Sequence, residues 1–192
     1  GREIAIAWLV LASLFFYGWW NPVYLVLIIL SMAVNFMFGE LLSNTFKNGQ
    51  LHRQKLYLVL GIGANLGILA YFKYAGFIVD NLNLVTGSSL NLGDIALPLA
   101  ISFFTFQQIA YLVDSYRGET AEYDFLNYAL FVTFFPQLIA GPIVHHAEMM
   151  PQFASRRNLV KRYRNIAIGL FIFSIGIFKK VVIADTFAQW AT

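Results

Sequence analysis

Residues 125–144, FLNYALFVTFFPQLIAGPIV, decide how this chain can fold. The stretch is apolar, uncharged and as long as a membrane crossing, because a hydrocarbon core of about 30 Å takes roughly 20 helical residues at about 1.5 Å each. Pro136 and the pair Gly141-Pro142 interrupt it, and a proline inside a helix removes a hydrogen bond and clashes with the preceding turn. Just downstream lie Arg156, Arg157, Lys161, Arg162 and Arg164. A complete crossing would carry this cluster to the non-cytoplasmic side, against the rule that basic loops stay inside. The sequence therefore predicts a segment that enters and turns back. Broken backbone at membrane depth is tolerated only where protein buries it or it lines a wet cavity, so this element is expected to face a cavity.

The parity behind that argument comes from the upstream spans. Ile4 to Trp20 is uncharged and ends on an aromatic group before Asn21-Pro22, which suits an interfacial belt and a tight turn. Val23 to Phe38 runs back to a polar loop, Glu40 to Lys55, that holds Lys47, Arg53 and Lys55 and is placed inside. Leu56 to Phe72 is the next span, with Lys73 at its far end and Gly63 and Gly67 spaced to admit a neighbouring helix. Asp80 to Asp94 has no basic residue and is placed outside, and Ile95 to Tyr116 returns towards Arg117. Beyond the basic cluster, Ile166 to Phe178 opens a last apolar element that Lys179-Lys180 interrupts before Val181 to Trp190, so it is expected either to bend or to lie partly in the interface. The fold class is all-α: a polytopic transmembrane bundle, one membrane domain over residues 1–192, with a broken or re-entrant segment around Pro136 and Gly141-Pro142.

Composition agrees. Of 192 residues 59% are hydrophobic and 12% charged, against roughly a quarter charged in a soluble domain. Disorder is excluded by that hydrophobicity, and disulfide scaffolds, thiol chemistry and Cys-based metal sites by the absence of Cys. The net charge of +3 sits in short stretches between apolar runs, a topology pattern rather than a nucleic-acid footprint. The chain opens directly on a span without Met and shows no signal-peptide cleavage site, so it reads as a fragment.

Polar side chains within apolar spans are costly and mark function or helix glue. Gln107, Tyr111 and Asp114 share one face at helical spacing, either as the wall of a polar cavity or as inter-helix hydrogen bonds with Asp114 paired to Arg117. His145 and His146 follow the Gly141-Pro142 break. A neutral imidazole there could act as a base, but adjacent histidines are poorly placed to share a metal, and no metal site is expected. With Pro136, Gln137, Gly141 and Pro142 they are assigned to the cavity or tunnel lining. His52 sits in a basic loop and reads as solvated. Arg156, Arg157, Lys161, Arg162, Arg164, Lys179 and Lys180 are candidates for contact with an anionic donor or lipid, or serve as topology determinants.

The strings FFPQLIAGPI (134–143) and MMPQF (149–153) resemble the membrane-bound O-acyltransferase family, most nearly its bacterial alginate O-acetyltransferase branch. Four further blocks agree in order: YFKY (71–74), Leu97-Pro98 through ISFFTFQ (101–107), Tyr111 and Asp114 with YRG (116–118), and Lys179-Lys180 with IAD (183–185). Ala100 departs from the Gly usual in relatives, with slightly looser helix contact as the expected cost. The resemblance implies the N-terminal part of a multi-spanning enzyme of the bacterial inner membrane. Its activity would move an acetyl group from a cytoplasmic thioester, acetyl-CoA or similar, towards hydroxyls of an extracytoplasmic polysaccharide such as alginate or peptidoglycan. It also implies a periplasmic esterase-like acyltransferase partner, contact with lipid, no permanently bound cofactor, and a catalytic His downstream of this chain that neither His145 nor His146 matches. The fragment alone is therefore expected to be inactive. Teichoic acid D-alanylation is an alternative acceptor reaction, and a non-enzymatic transporter subunit or scaffold with a polar cavity is the alternative function.

Overall fold

The computed structural model describes residues 1–93, 95–119, 124–138, 141, 146–155, 160–188 and 190. They form α1 (Arg2–Trp20), α2 (Val23–Lys47), α3 (Leu51–Thr86), α4 (Ile101–Arg117), α5 (Phe125–Thr133), α6 (Phe135–Leu138), α7 (His146–Ala154) and α8 (Tyr163–Ile177). A π-helical segment, Phe178–Ala184, then leads into α9 (Asp185–Ala188). Four helices are long and apolar enough to cross a membrane: α1, α2, α3 and the continuous run Tyr163–Ala188. The protein is all-α and multi-pass. The chain divides into two compact units, Gly1–Pro151 and Gln152–Thr192.

In the first unit α2, α3 and α4 pack mutually, and α1 packs along α5. The short α4 is the most enclosed of the longer helices, burying Phe104, Thr105, Gln107, Gln108, Tyr111, Leu112, Asp114 and Ser115. Its 17 residues carry five polar side chains besides Tyr111 in that buried set, which is why its average hydropathy is lower than that of its neighbours. Side-chain amides and hydroxyls stitch it in. Asn35 Nδ2 donates to Asn65 Oδ1 at 3.2 Å and Asn65 Nδ2 to Asn35 Oδ1 at 2.6 Å, joining α2 to α3. The second hydrogen of each amide goes back to its own helix, to Ser31 O and Gly61 O. Gln54 Nε2 reaches Tyr116 O at 2.6 Å, and Gln108 Nε2 reaches Ser31 Oγ at 3.1 Å. Such bonds hold helices together where lipid is as apolar as leucine and burial alone gives little.

Element boundaries depart from the expected ones. The polar stretch Glu40 to Lys55 is helical apart from the Asn48–Gln50 turn, because charge marks where a chain leaves lipid and not where backbone bonding stops. By the same reasoning α3 does not end at Lys73; it runs on to Thr86, where Gly87 closes it in the left-handed region at φ 67°. The predicted span Ile95 to Tyr116 starts only at Ile101, since Leu97 precedes Pro98 and is steered away from helical geometry. The close-approach glycine of α3 is neither Gly63 nor Gly67, beside which a Cβ would meet nothing, but Gly61, where a Cβ would lie 2.8 Å from Leu112.

The quoted stretch is broken in the way Pro136 dictates. α5 lasts nine residues, stops at Phe134, resumes for the single turn of α6, and α7 begins only at His146. His146 packs edge-on to Phe131 with ring centroids 5.1 Å apart. In the second unit none of the described residues of α8 to α9 is buried. At Lys179-Lys180 the backbone winds as a π-helix. That winding sets residues five apart on one side, and Lys180 Nζ lies 2.8 Å from each carboxylate oxygen of Asp185.

Ala100 is the one described non-glycine residue with positive φ, 55° with ψ 22°, so its departure from glycine costs backbone strain rather than helix contact. Ala100→Gly should raise stability by about 1 kcal/mol, about 1–2 °C in a thermal melt of the full-length protein in detergent. An unchanged or lower melting temperature would contradict this.

Candidate functional site

A helix that stops inside a membrane frees backbone groups that nothing in lipid can satisfy. At this break Phe135 N–H would ordinarily bond to the Phe131 carbonyl one turn back. It is directed instead to Ser13 Oγ on α1, at 3.4 Å. The released Phe131 carbonyl accepts from Gln107 Nε2 on α4 at 2.8 Å. Pro136 has no N–H to offer Val132. Phe134 N–H still bonds to Leu130 O at 3.0 Å, so the disruption is confined to one turn. Ser13 lies 11 residues into α1, about 16 Å along its axis, so the break sits near mid-helix depth.

The far side of the break is fixed by a glycine. Gly141 N–H donates to Gln137 O at 2.8 Å, and a Cβ on Gly141 would fall 2.7 Å from Gln137 Cα. Backbone atoms cannot give way as a flexible side chain can. Gln137 is half-buried and Pro136 exposed, while Leu138 is buried. Pro142 and His145 lie outside the described residues.

The predicted stripe on α4 is buried in full. Gln107 is 1% exposed, Tyr111 1% and Asp114 3%, whereas Arg117 is exposed. Tyr111 lies over Gly39 of α2, where a Cβ would overlap its hydroxyl and ring, so α2 and α4 meet there only because position 39 lacks a side chain. The ring packs against Tyr128 at 4.6 Å and His146 at 5.8 Å between centroids. His146 is thereby held, buried, in an aromatic setting with Phe131 and Tyr111. Behind Tyr111, Tyr128 OH donates to Gln108 Oε1 at 3.2 Å. Gln107 Oε1 is buried and has no hydrogen-bond partner among the described residues. One buried acceptor thus stands beside the helix break, backed by two phenols and an imidazole.

Ser13, Asn35, Asn65 and Tyr128 were not singled out by their sequence. The signal was present for the two asparagines, as isolated amides in uncharged spans, but not for Ser13, whose partner is 122 residues away. Of the basic candidates, Lys161, Arg162, Arg164, Lys179 and Lys180 are exposed in the second unit, and Arg156 and Arg157 lie outside the described residues. His52 is exposed. Among the described residues no group of three His, Asp or Glu is placed to hold a metal ion. A groove of about 200 Å³ between α2 and α3 is lined by Ser31, Asn35, Asn65 and aliphatic neighbours. A second cavity, about 360 Å³, lies at the starts of α1 and α5 beside Arg2, Glu3, Asp124 and Asn127.

Residues 114–191 match the membrane-bound O-acyltransferase family. Over 209 aligned residues the chain is 49% identical to the peptidoglycan O-acetyltransferase of Helicobacter pylori, an alignment covering 96% of this chain and 39% of that protein. It is 38% identical over 188 residues to a probable alginate O-acetylase of Pseudomonas aeruginosa, covering 95% of this chain and 35% of the relative. For the probable alginate O-acetylase of Azotobacter vinelandii the values are 36% over 188 residues, 95% and 37%. The chain spans less than two fifths of the length of these curated relatives. No solved structure matches it.

Gln107→Met in the full-length protein should cost about 1 kcal/mol by stranding the Phe131 carbonyl, within the range of inter-helix polar contacts in bilayers. Gln107→Glu should cost more, because the buried side chain must either lose water as a carboxylate or be held protonated before it can donate to the Phe131 carbonyl. Ser13→Ala should cost less than either, as its bond is the longer one. Denaturant midpoints in detergent report the order, and equal midpoints for wild type and Gln107→Glu would contradict it.

Proposed function

We propose that this chain, which belongs to the membrane-bound O-acyltransferase family, is the N-terminal part of an O-acetyltransferase that modifies hydroxyls of a cell-envelope polysaccharide. The observation that carries the reading is 49% identity along almost the whole chain to a peptidoglycan O-acetyltransferase. The same residues align with alginate O-acetylases at lower identity, so peptidoglycan is the first acceptor to test and alginate the second.

The donor is a cytoplasmic thioester, acetyl-CoA or a close analogue, and the protein resides in the inner membrane. Lys47, Arg53 and Lys55 around the α2–α3 turn and Arg117 at the end of α4 set the cytoplasmic end by the positive-inside rule. In the transfer the acceptor hydroxyl oxygen bonds to the thioester carbonyl carbon, the C–S bond breaks, the thiol leaves and a base takes the hydroxyl proton. That base is a histidine downstream of this chain, since a group must lie within hydrogen-bond reach of the proton it removes. The present residues supply a wall. Pro136, Gln137, Gly141, Pro142, His145 and His146 form its broken part, and Gln107, Tyr111 and Asp114 its continuous part on α4.

Gln107 Oε1 is an acceptor held at membrane depth, suited to a hydroxyl or water donor passing the break. Arg156, Arg157, Lys161, Arg162, Arg164, Lys179 and Lys180 meet the phosphates of donor or lipid. The acetyl group leaves for a periplasmic esterase-like partner or directly for the glycan.

Full-length protein in nanodiscs, which leave both membrane faces open, given labelled acetyl-CoA and soluble peptidoglycan fragments, should pass label to the glycan. Asp114→Asn should lower that rate at least tenfold while the protein remains inserted. Label reaching no glycan and no protein, with insertion intact, would overturn the enzymatic reading in favour of transport or scaffolding.

A further inference from the structure

α3 outruns its neighbours. Tyr24, in the first turn of α2, sets its ring edge-on to Phe72 with centroids 6.2 Å apart, and its hydroxyl donates to Ala96 O at 2.5 Å. Phe72 therefore marks the level at which α1 and α2 turn. Tyr71 and Tyr74 flank it, and Lys73 Nζ lies 5.6 Å from the Tyr74 ring, an aromatic and basic group of the kind found at a membrane interface. Past that level α3 continues from Ala75 to Thr86, about 18 Å further. Its 36 residues total about 54 Å, more than the roughly 40–45 Å of a bilayer with its headgroups.

The extension is built to stand. Asn83 Nδ2 donates to Leu90 O at 2.8 Å, and Asn83 Oδ1 accepts from Leu90 N–H at 2.9 Å and Ser88 Oγ at 2.8 Å. One side chain thereby ties the returning chain to the helix, and ordering entropy for a partner is lowered in advance. On the opposite side Phe77, Ile78, Leu82, Leu84 and Val85 are exposed, Leu84 at 86% and Val85 at 81%. Their spacing places them within about 160° of the helix circumference, with Ile78, Leu82 and Val85 at the i, i+4, i+7 positions by which helices seat in apolar grooves.

Charge selects the occupant. Between Lys73 and Arg117 the sequence has no Lys, Arg or His, and Asp80 edges the apolar face. Anionic lipid surfaces attract basic segments, so this base-free extension gains nothing by lying on them. A second copy would bring the same sign. We propose that the extension, residues 75–86 of α3, is the docking face for an extracytoplasmic protein whose apolar groove is rimmed by Lys and Arg. The side of the membrane rests on the orientation given under Proposed function.

The test uses the full-length protein in intact cells with a photo-crosslinking side chain in place of Val85. Illumination should give one adduct with an extracytoplasmic protein, its yield falling at least tenfold with Ile78→Glu plus Leu82→Glu and several-fold with Asp80→Lys. Leu84→Cys labelled from outside by a membrane-impermeant maleimide shows that each variant is inserted with the extension exposed. Adducts only with lipid, with a second copy or with later helices of the same protein would overturn the proposal, as would a Leu84→Cys that resists labelling in spheroplasts freed of soluble envelope proteins. Glycan acetylation measured in the same cells separates the two claims. Acetylation without the adduct sinks the docking face alone, and the adduct without acetylation sinks the enzymatic reading alone.

Discussion

The fold depends on one constraint: a helix broken inside a membrane must have its released backbone groups bonded by its neighbours. The break at Phe134-Phe135 releases an N–H and a carbonyl, and Ser13 from one side and Gln107 from the other take them. These two bonds tie α6 to α1 and α5 to α4, beside the place where His146 packs against Phe131 and Tyr111. Gly141 then lets the backbone close on Gln137 where any Cβ would collide. The break is a built feature, held from several directions.

Around it the first unit is organised by amides rather than by hydrophobic sorting. The Asn35–Asn65 pair uses both hydrogens of both amides, so no donor is left to lipid. Gln54 and Gln108 repeat the device along α4. The consequence is a wall held by paired polar groups, in which Gln107 Oε1 is among the few buried side-chain atoms with no hydrogen-bond partner among the described residues. An acyl transfer site needs such a stiff surround, because a reacting pair displaced by an ångström loses much of its rate.

The interruption after Thr133 was legible in the sequence, because Pro136 acts locally on the helix that precedes it. The stripe Gln107, Tyr111 and Asp114 was legible as well, since three polar residues at helical spacing in an apolar run require company. The identity of that company was not. Ser13 and Phe135 are joined across 122 positions, and Gln107 and Phe131 across 24, and no local pattern encodes such pairs. Helix ends were misread where polarity stood in for geometry. Lys73 signals an interface, yet α3 continues through it because helical hydrogen bonds serve as well in water as in lipid. Ala100 illustrates the converse, an ordinary residue in a backbone conformation that only the structure reveals.

The central claim is that the broken element and the α4 stripe form the wall past which the acyl group moves. The most direct measurement is a cryo-EM structure of the full-length protein in a nanodisc with a non-hydrolysable acetyl-CoA analogue. Density for the acyl end of the analogue within contact distance of Gln107, Tyr111 or His146, on the side where the chain is interrupted, is the predicted result. An analogue seated elsewhere, with these residues sealed in a dry core exactly as they pack without it, would contradict the account.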